Sequence, residues 1–439
     1  MKYIFSFFAV MLCWAGAQLF AQGAGDVQFS KTETMKMPQS HGCVYIPVYE
    51  DQHVYIPAPE KFRRGVKTAN FDVTYIGFTA DAQAAFQEAV NIWSSILVSS
   101  VTIKIVAKWE PLGQNVLGSA GPATFFGDGS KWFPVALAEA INGSALNSPD
   151  SADIKASFSS VFSNWYFGTD GNTPSGKFDF ETVVLHELGH GLGFLGSLDF
   201  DTTSSQGSWG LGSALPFVFD LASVNGGGQQ LIDVNNFANP SVALGNELVS
   251  NNLFTAGTKT VAANGGTAAP LYAPNPWEGG SSYSHFDEAS FPAGNINSLM
   301  TPQVGTAEAI HDPGALMLAL FEDNGWSVTP IVGIKDDLGD PSVVTNFELA
   351  QNFPNPFNPA TNIRYSLPQA SQVRLSVFNL LGQKVAILVN EFKQAGSHQV
   401  TFDAGNLNSG IYFYKIEADN PSAGSRQGFS QVRKMLLTR

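Results

Sequence analysis

The sequence predicts two folded parts in one chain, an α+β domain followed by an all-β sandwich. Three observations carry that expectation. Strand-like and helix-like segments alternate up to a helix-period stretch around residue 186. Beyond residue 345 the pattern changes to short alternating runs split by glycine turns, the spacing of a sandwich. The charge changes sign at the same place. From Thr345 onward there are nine Lys/Arg and five Asp/Glu, net +4, which leaves −18 for the rest of a chain whose total is −14.

The chain has 439 residues, 44% hydrophobic, 12% aromatic and only 14% charged. That is enough apolar material for two or more packed cores. The negative balance argues against nucleic acid or an anionic membrane as the main partner. At the N-terminus Met1-Lys2-Tyr3 leads into an apolar run from Ile4 to Phe20, with small residues Ala15, Gly16, Ala17 and Ala21. This predicts a secretory signal peptide over 1–21, cut after Ala21 or after Ala17. No other segment approaches the ~18 apolar residues of a membrane span, so the mature chain is expected to be exported without one. Cys13 would leave with the signal, making Cys43 the one remaining thiol and excluding an internal disulfide.

Residues 22–68 lack helical periodicity and contain Val44-Tyr45-Ile46-Pro47, Val54-Tyr55-Ile56-Pro57 and the basic cluster Lys61, Arg63, Arg64, Lys67. They read as a propeptide or N-terminal arm; the first strands of the main domain are the other reading. The domain proper is expected over 69–330. Phe71–Tyr75 alternates as a strand, Ala80–Leu97 has helical spacing, and Val101–Trp109 alternates again. Asn115–Ala120 reads as an edge strand with a tight approach at Gly118, and Ala152–Phe158 as one more strand.

The segment Phe180 to Gly196 concentrates the chemistry. Val184, Leu185, Leu188 and Leu192 recur at helical spacing after Asp179, a fitting N-cap. A helix here puts His186 and His190 one turn apart on one face, where two imidazoles can bind one metal ion. Glu187, beside the first histidine, is then placed as a general base towards a water at that metal. Two surface histidines on an ordinary helix are the plain alternative. Gly189, Gly191 and Gly193 weaken a helix interior and call for a reason, and Gly193 suits a sharp exit at positive φ. Metzincin-type metalloproteases leave such a helix in this way and place a third histidine three residues after that glycine; here the position is Gly196. From the residues, the third ligand is open between His285, Asp199 and His311.

Residues 197–284, rich in Gly, Asn, Ser and Ala, form an insertion too long for bare loop, so short elements are expected inside it. Then come Ser284-His285-Phe286-Asp287, Asn297-Ser298-Leu299-Met300-Thr301-Pro302, and an amphipathic helix from Gly314 to Asn324 ending at Gly325-Trp326. In this order, over about 71–326, the chain resembles leishmanolysin-type zinc metalloproteases. The resemblance implies a metzincin-like catalytic domain holding one Zn²⁺ by His186, His190 and His285. It makes Met300 the methionine of the turn beneath the metal. It also makes Cys43 a candidate latency ligand, since a thiolate binds zinc strongly; an incidental thiol is the other reading. The chain departs from the eukaryotic relatives in lacking their many cysteines, and it carries extra residues between His285 and Met300.

Residues 331–344 are polar and acidic and read as a linker. The tail, 345–439, opens on Gln351-Asn352-Phe353-Pro354-Asn355-Pro356-Phe357-Asn358-Pro359 and continues in short strands to Lys434-Met435. It resembles the C-terminal sorting domains of type IX secretion cargo. That implies an immunoglobulin-like sandwich, a Gram-negative source, passage through the periplasm, and release or attachment at the outer-membrane surface by the type IX machinery. Together these readings predict a secreted or surface-attached zinc metalloendopeptidase that cuts protein or peptide substrates with metal-activated water, Glu187 serving as general base. The alternatives are a surface adhesin or binding protein with a structural metal, or an inactive protease homologue.

Overall fold

The structure, a computed structural model, describes residues 27–30, 34–35, 46–113, 115–329, 347–349, 352, 355, 357–368, 370–394, 396–419 and 429–438. Cys43, the expected signal peptide and the expected linker lie outside the described residues. The chain divides into two units, Met1–Thr329 and Pro330–Arg439.

The first unit opens with β1 (Thr34–Met35), β2 (Ile46–Ile56) and α1 (Glu60–Arg63). It continues through β3 (Phe71–Ile76), α2 (Ala80–Ile96), β4 (Ile103–Glu110), β5 (Gly118–Pro122), the hairpin β6 (Phe125–Gly127) and β7 (Trp132–Pro134), and α3 (Val135–Asn142). Next come β8 (Ile154–Ser159), the short strands β9 (Trp165–Tyr166) and β10 (Phe178–Asp179), and the helix α4 (Phe180–Leu192). Within 197–284 lie β11 (Asp199–Asp201), β12 (Gln206–Ser208), β13 (Ser223–Asn225), α5 (Val242–Leu248), β14 (Leu253–Thr255), α6 (Thr258–Ala263) and β15 (Ala269–Leu271). β16 (Gln303–Ile310) and α7 (Gly314–Asn324) complete the unit.

The central sheet runs β3-β4-β8-β5, with β3, β4 and β8 parallel and β5 antiparallel at the edge. Ile103, Ile105 and Ala107 of β4 alternate into the core because successive side chains of a strand face opposite ways. α2 is capped by Thr79, whose side chain accepts from Ala82 N–H, and buries Phe86, Ile92 and Trp93. The Trp93 indole N–H donates to Leu185 O at 3.2 Å, which joins α2 to α4.

α4 is buried on every side. Asp179 caps it, accepting from Thr182 N–H at 2.8 Å and Thr182 Oγ1 at 2.7 Å. Its C-terminus turns at Gly193, φ 117°, where Phe194 N–H donates to Gly189 O at 3.0 Å. A side chain at that φ is strained, which accounts for glycine. The Leu192 carbonyl, orphaned at the helix end, accepts from the Trp326 indole N–H at 2.9 Å. The helix lies on β8 at Gly191: a Cβ there would stand 2.4 Å from Ile154 Cγ2.

The described part of 22–68 is woven into this unit. β2 pairs in parallel with β16 from Ile46–Gln303 to Ile56–Ile310, and Phe62 is buried. Of the basic cluster, Arg63 turns inward: its Nη2 donates to Thr169 O at 3.0 Å and to His311 Nδ1 at 2.8 Å, and stands 3.7 Å from Glu181. His311 in turn donates from Nε2 to Asp179 at 2.8 Å. The arm is thereby attached to the residue that caps α4.

The second unit has two sheets. One runs β17 (Glu348–Leu349), β18 (Ala360–Leu367), β21 (Gly396–Asp403); the other runs β20 (Lys384–Lys393), β19 (Ser371–Phe378), β22 (Gly410–Asp419), β23 (Phe429–Leu437). Leu349, Ile363 and Leu367 of the first and Leu375, Tyr414 and Ile416 of the second share one core. Asn352 is buried there; its N–H donates to Tyr414 Oη at 2.7 Å and its side-chain amide to Thr361 Oγ1 at 3.0 Å.

The close approach at Gly191 predicts that Gly191→Ala destabilises the first unit. Overpacking costs about 1–3 kcal/mol, and the gain in helix propensity returns at most about 1 kcal/mol. Chemical denaturation followed by circular dichroism should show the loss, and a variant as stable as wild type would contradict this packing.

Candidate metal centre

Three histidines converge in the first unit. His186 and His190 project from one face of α4, as an i, i+4 pair must, and His285 arrives from the end of the insertion. Their Nε2 atoms form a triangle with sides of 3.0 Å (His186–His190), 3.2 Å (His190–His285) and 3.2 Å (His285–His186). All three rings are fully buried.

Tautomers follow from the other nitrogens. Each Nδ1 meets a main-chain carbonyl: Leu299 O at 2.7 Å from His186, Phe194 O at 2.7 Å from His190, and Ser281 O at 2.6 Å from His285. A carbonyl only accepts, so each Nδ1 carries the proton and each Nε2 presents a lone pair. Burial, then the neighbouring imidazoles, push His186 well below the usual histidine range. Burial brings His190 down to about 4, and burial, then the neighbouring His190 imidazole, pushes His285 well below the usual range. Three neutral rings thus aim three lone pairs at one point with no proton to join them.

This donor set fits a zinc ion. Imidazole ligands lie 2.0–2.1 Å from zinc in tetrahedral sites, so their nitrogens stand roughly 3.3 Å apart. The carbonyl partners are the outer contacts that orient metal-binding histidines.

Glu187 lies beside this group, fully buried, with neither carboxylate oxygen in a hydrogen bond. Burial pushes its pKa well above the usual range; the Ala120 amide approaches and opposes the rise, short of good hydrogen-bond geometry. Room for the side chain comes from β5, where a Cβ at Gly118 would stand 3.1 Å from Glu187 Cγ. A buried, unpartnered carboxylate is costly to the fold and typical of a functional position.

Met300 ends the 3₁₀ turn Ser298–Met300 and is buried. A Cβ at Gly189 would meet its Sδ at 2.9 Å, so Met300 packs on α4 between the two helical histidines. Of the other candidate ligands, Asp199 sits on β11 outside the cluster and His311 is engaged by Asp179 and Arg63.

Gly196 explains itself through Tyr283. A Cβ at Gly196 would fall 2.0 Å from the Tyr283 ring, and Gly196 N–H donates to Ser284 Oγ at 3.1 Å. The loop that delivers His285 fills the space a histidine at position 196 would need. Tyr283 itself has φ 72°, strained for a bulky residue. Its hydroxyl donates to Asp220 at 2.9 Å and lies 2.7 Å from Ser223 Oγ. Asp220 also accepts from Ser197 N–H, Ser197 Oγ and Phe217 N–H. Sequence reading missed this network; its one local signal is an acidic residue inside the apolar run Val218-Phe219-Asp220-Leu221.

Comparison with known proteins bears on the tail. Residues 351–426 match the family described as the secretion system C-terminal sorting domain. The chain therefore carries an address for the type IX secretion machinery, which makes it a secreted or cell-surface protein. A solved structure of PorZ, an essential bacterial surface component of the type IX secretion system of Porphyromonas gingivalis, is similar over 26% of this chain and 14% of that one, with 14% identity and a TM-score of 0.15. The matched part thus spans far less than two thirds of that protein. No curated protein matches the chain. Among the described residues, no helix is long and apolar enough to cross a membrane.

If the three lone pairs bind one metal, His285→Ala should lower zinc content as severely as His186→Ala or His190→Ala, and Asp199→Ala should leave it unchanged. Metal analysis of the purified folded variants checks this; full zinc in His285→Ala would refute the assignment.

Proposed function

We propose that the first unit is a leishmanolysin-like zinc endopeptidase with a metzincin-like fold, delivered to the cell surface or medium by an immunoglobulin-like tail. The observation that carries this reading is the convergence of three unprotonated imidazole nitrogens beside a buried carboxylate with no partner of its own. A structural metal site has no use for Glu187; a hydrolytic one does.

When bound, zinc would supply Lewis acidity and make water nucleophilic near neutral pH. His186, His190 and His285 would hold it, their Nδ1–H bonds to Leu299, Phe194 and Ser281 keeping the rings aimed. Glu187 would take a proton on a carboxylate oxygen from the attacking water and pass it to the departing amine. A cation nearby would lower the Glu187 pKa from its raised value, since opposite charge favours the ionised form. β5, at the edge of the central sheet and next to Glu187, would hold an extended substrate by its backbone.

The test is a paired measurement on the full chain. Glu187→Ala should keep zinc and fold yet lose at least ~10²–10⁴-fold in cleavage of casein or a quenched peptide. Activity within tenfold of wild type would remove Glu187 from the mechanism; zinc without activity in the wild type would leave a structural metal site. Deleting residues 345–439 should strand the protein in the periplasm of its native host, as cell fractionation would show, and normal display of the truncated chain would contradict the address.

A further inference from the structure

The outer edge of β6 is occupied by the chain's own N-terminal segment. β1 pairs antiparallel with it, Thr34 opposite Phe126 and Met35 opposite Phe125. Ser30 N–H donates to Gly127 O at 3.2 Å, and Thr124 Oγ1 to Met35 O at 3.1 Å. Phe29 stands edge-on to Phe133, ring centres 5.2 Å apart. Met35 packs against an apolar cluster of Phe125, Trp132, Leu195 and Phe217.

This cluster adjoins the metal centre by two routes. Ala123 and Thr124 alone separate β6 from β5, whose Gly118 and Ala120 lie against Glu187. Leu195 follows Phe194, whose carbonyl holds His190. The direction of the occupying strand matters too. From Thr34 to Met35 it passes from Phe126 to Phe125, that is, towards the end of β6 that joins β5. An extended polypeptide on the same path advances about 3.3 Å per residue and would bring its following residues to the catalytic groups.

Among the described residues the pairing is two residues long. Met35 and Phe29 add side-chain contacts to this ladder.

We infer that the β6 edge and the Phe125–Trp132–Leu195–Phe217 cluster form a binding subsite for an extended polypeptide with an unbranched apolar side chain, and that residues 27–30 and 34–35 occupy it as an internal mimic of substrate. This rests on the peptidase reading above. Main-chain bonds to the strand edge give affinity, and the apolar cluster selects the side chain. Freeing the subsite requires displacing or removing the segment that carries Phe29 and Met35.

Binding can be read without catalysis. The full chain carrying Glu187→Gln, with and without Met35→Asp, would be titrated into a fluorescein-labelled peptide copying residues 27–36 and followed by anisotropy. Met35→Asp puts a charge against the apolar cluster and should expel the internal strand, so that chain should bind the peptide at least ~10-fold more tightly, about 1.4 kcal/mol. A peptide with aspartate in place of its methionine should bind neither chain. Equal affinities for the two chains would overturn the inference. If Met35→Asp fails to fold by circular dichroism, Phe29→Ala, which removes one ring contact outside the cluster, decides in the same direction with a smaller gain. Peptide capture without zinc or peptidase activity would refute the function and leave the docking edge; zinc and activity with no gain in capture would do the reverse.

Discussion

Three hydrogen bonds from imidazole Nδ1 to main-chain carbonyls govern the three-histidine cluster. They draw on the helix exit at Phe194, the 3₁₀ turn at Leu299 and the end of the insertion at Ser281. Each carbonyl belongs to a segment that is itself tied down. Phe194 N–H bonds back to Gly189, Met300 O accepts from Phe286 N–H at 2.8 Å, and Ser281 N–H donates to Glu278 O at 3.1 Å. The rings are thus oriented by backbone rather than by other mobile side chains, so little ordering is left for a metal to impose. Burial keeps the rings neutral, and the bonds keep the lone pairs pointing inward.

The rest of the first unit serves that arrangement at some expense to stability. A glycine at 191 weakens the helix but lets it settle on β8. Glu187 remains buried without a partner, and Tyr283 keeps an unfavourable φ. Such strains persist where the surroundings over-determine them. Here the capping by Asp179, the two indole bonds from Trp93 and Trp326, and the buried Asp220 network supply that surplus.

What was legible in the sequence was local. HExxH, its cap at Asp179 and its exit at Gly193 lie within fifteen residues, and each follows from helix geometry alone. The same holds for α7, which ends at Gly325. His285 is 95 residues from His190, and no periodicity links them; its assignment came from resemblance to a family. The β6–β7 hairpin escaped because its strands are three residues each, too short for alternation to register. Arg63 read as part of an exposed basic cluster because its partners, Glu181 and His311, are separated from it by more than a hundred residues. Gly196 read as a missing ligand. Its physical meaning, room for Tyr283, depends on a contact that only the folded chain makes.

That contact has a consequence for how the protein can change. Gly196 and Ser197 at one end of the insertion touch Ser284 and, through Asp220, Tyr283 at the other. The excursion therefore leaves and returns through a closed neck. Once a neck is closed, the entropy of the loop beyond it grows only logarithmically with length, about 0.6 kcal/mol per doubling. The exposed turns distal to the neck, such as 201–205 and 226–229, can therefore lengthen or accept a foreign module with little effect on the histidine this stretch delivers. By contrast α6, tied to Asp323, and Tyr272, whose N–H donates to His285 O, cannot be exchanged so freely.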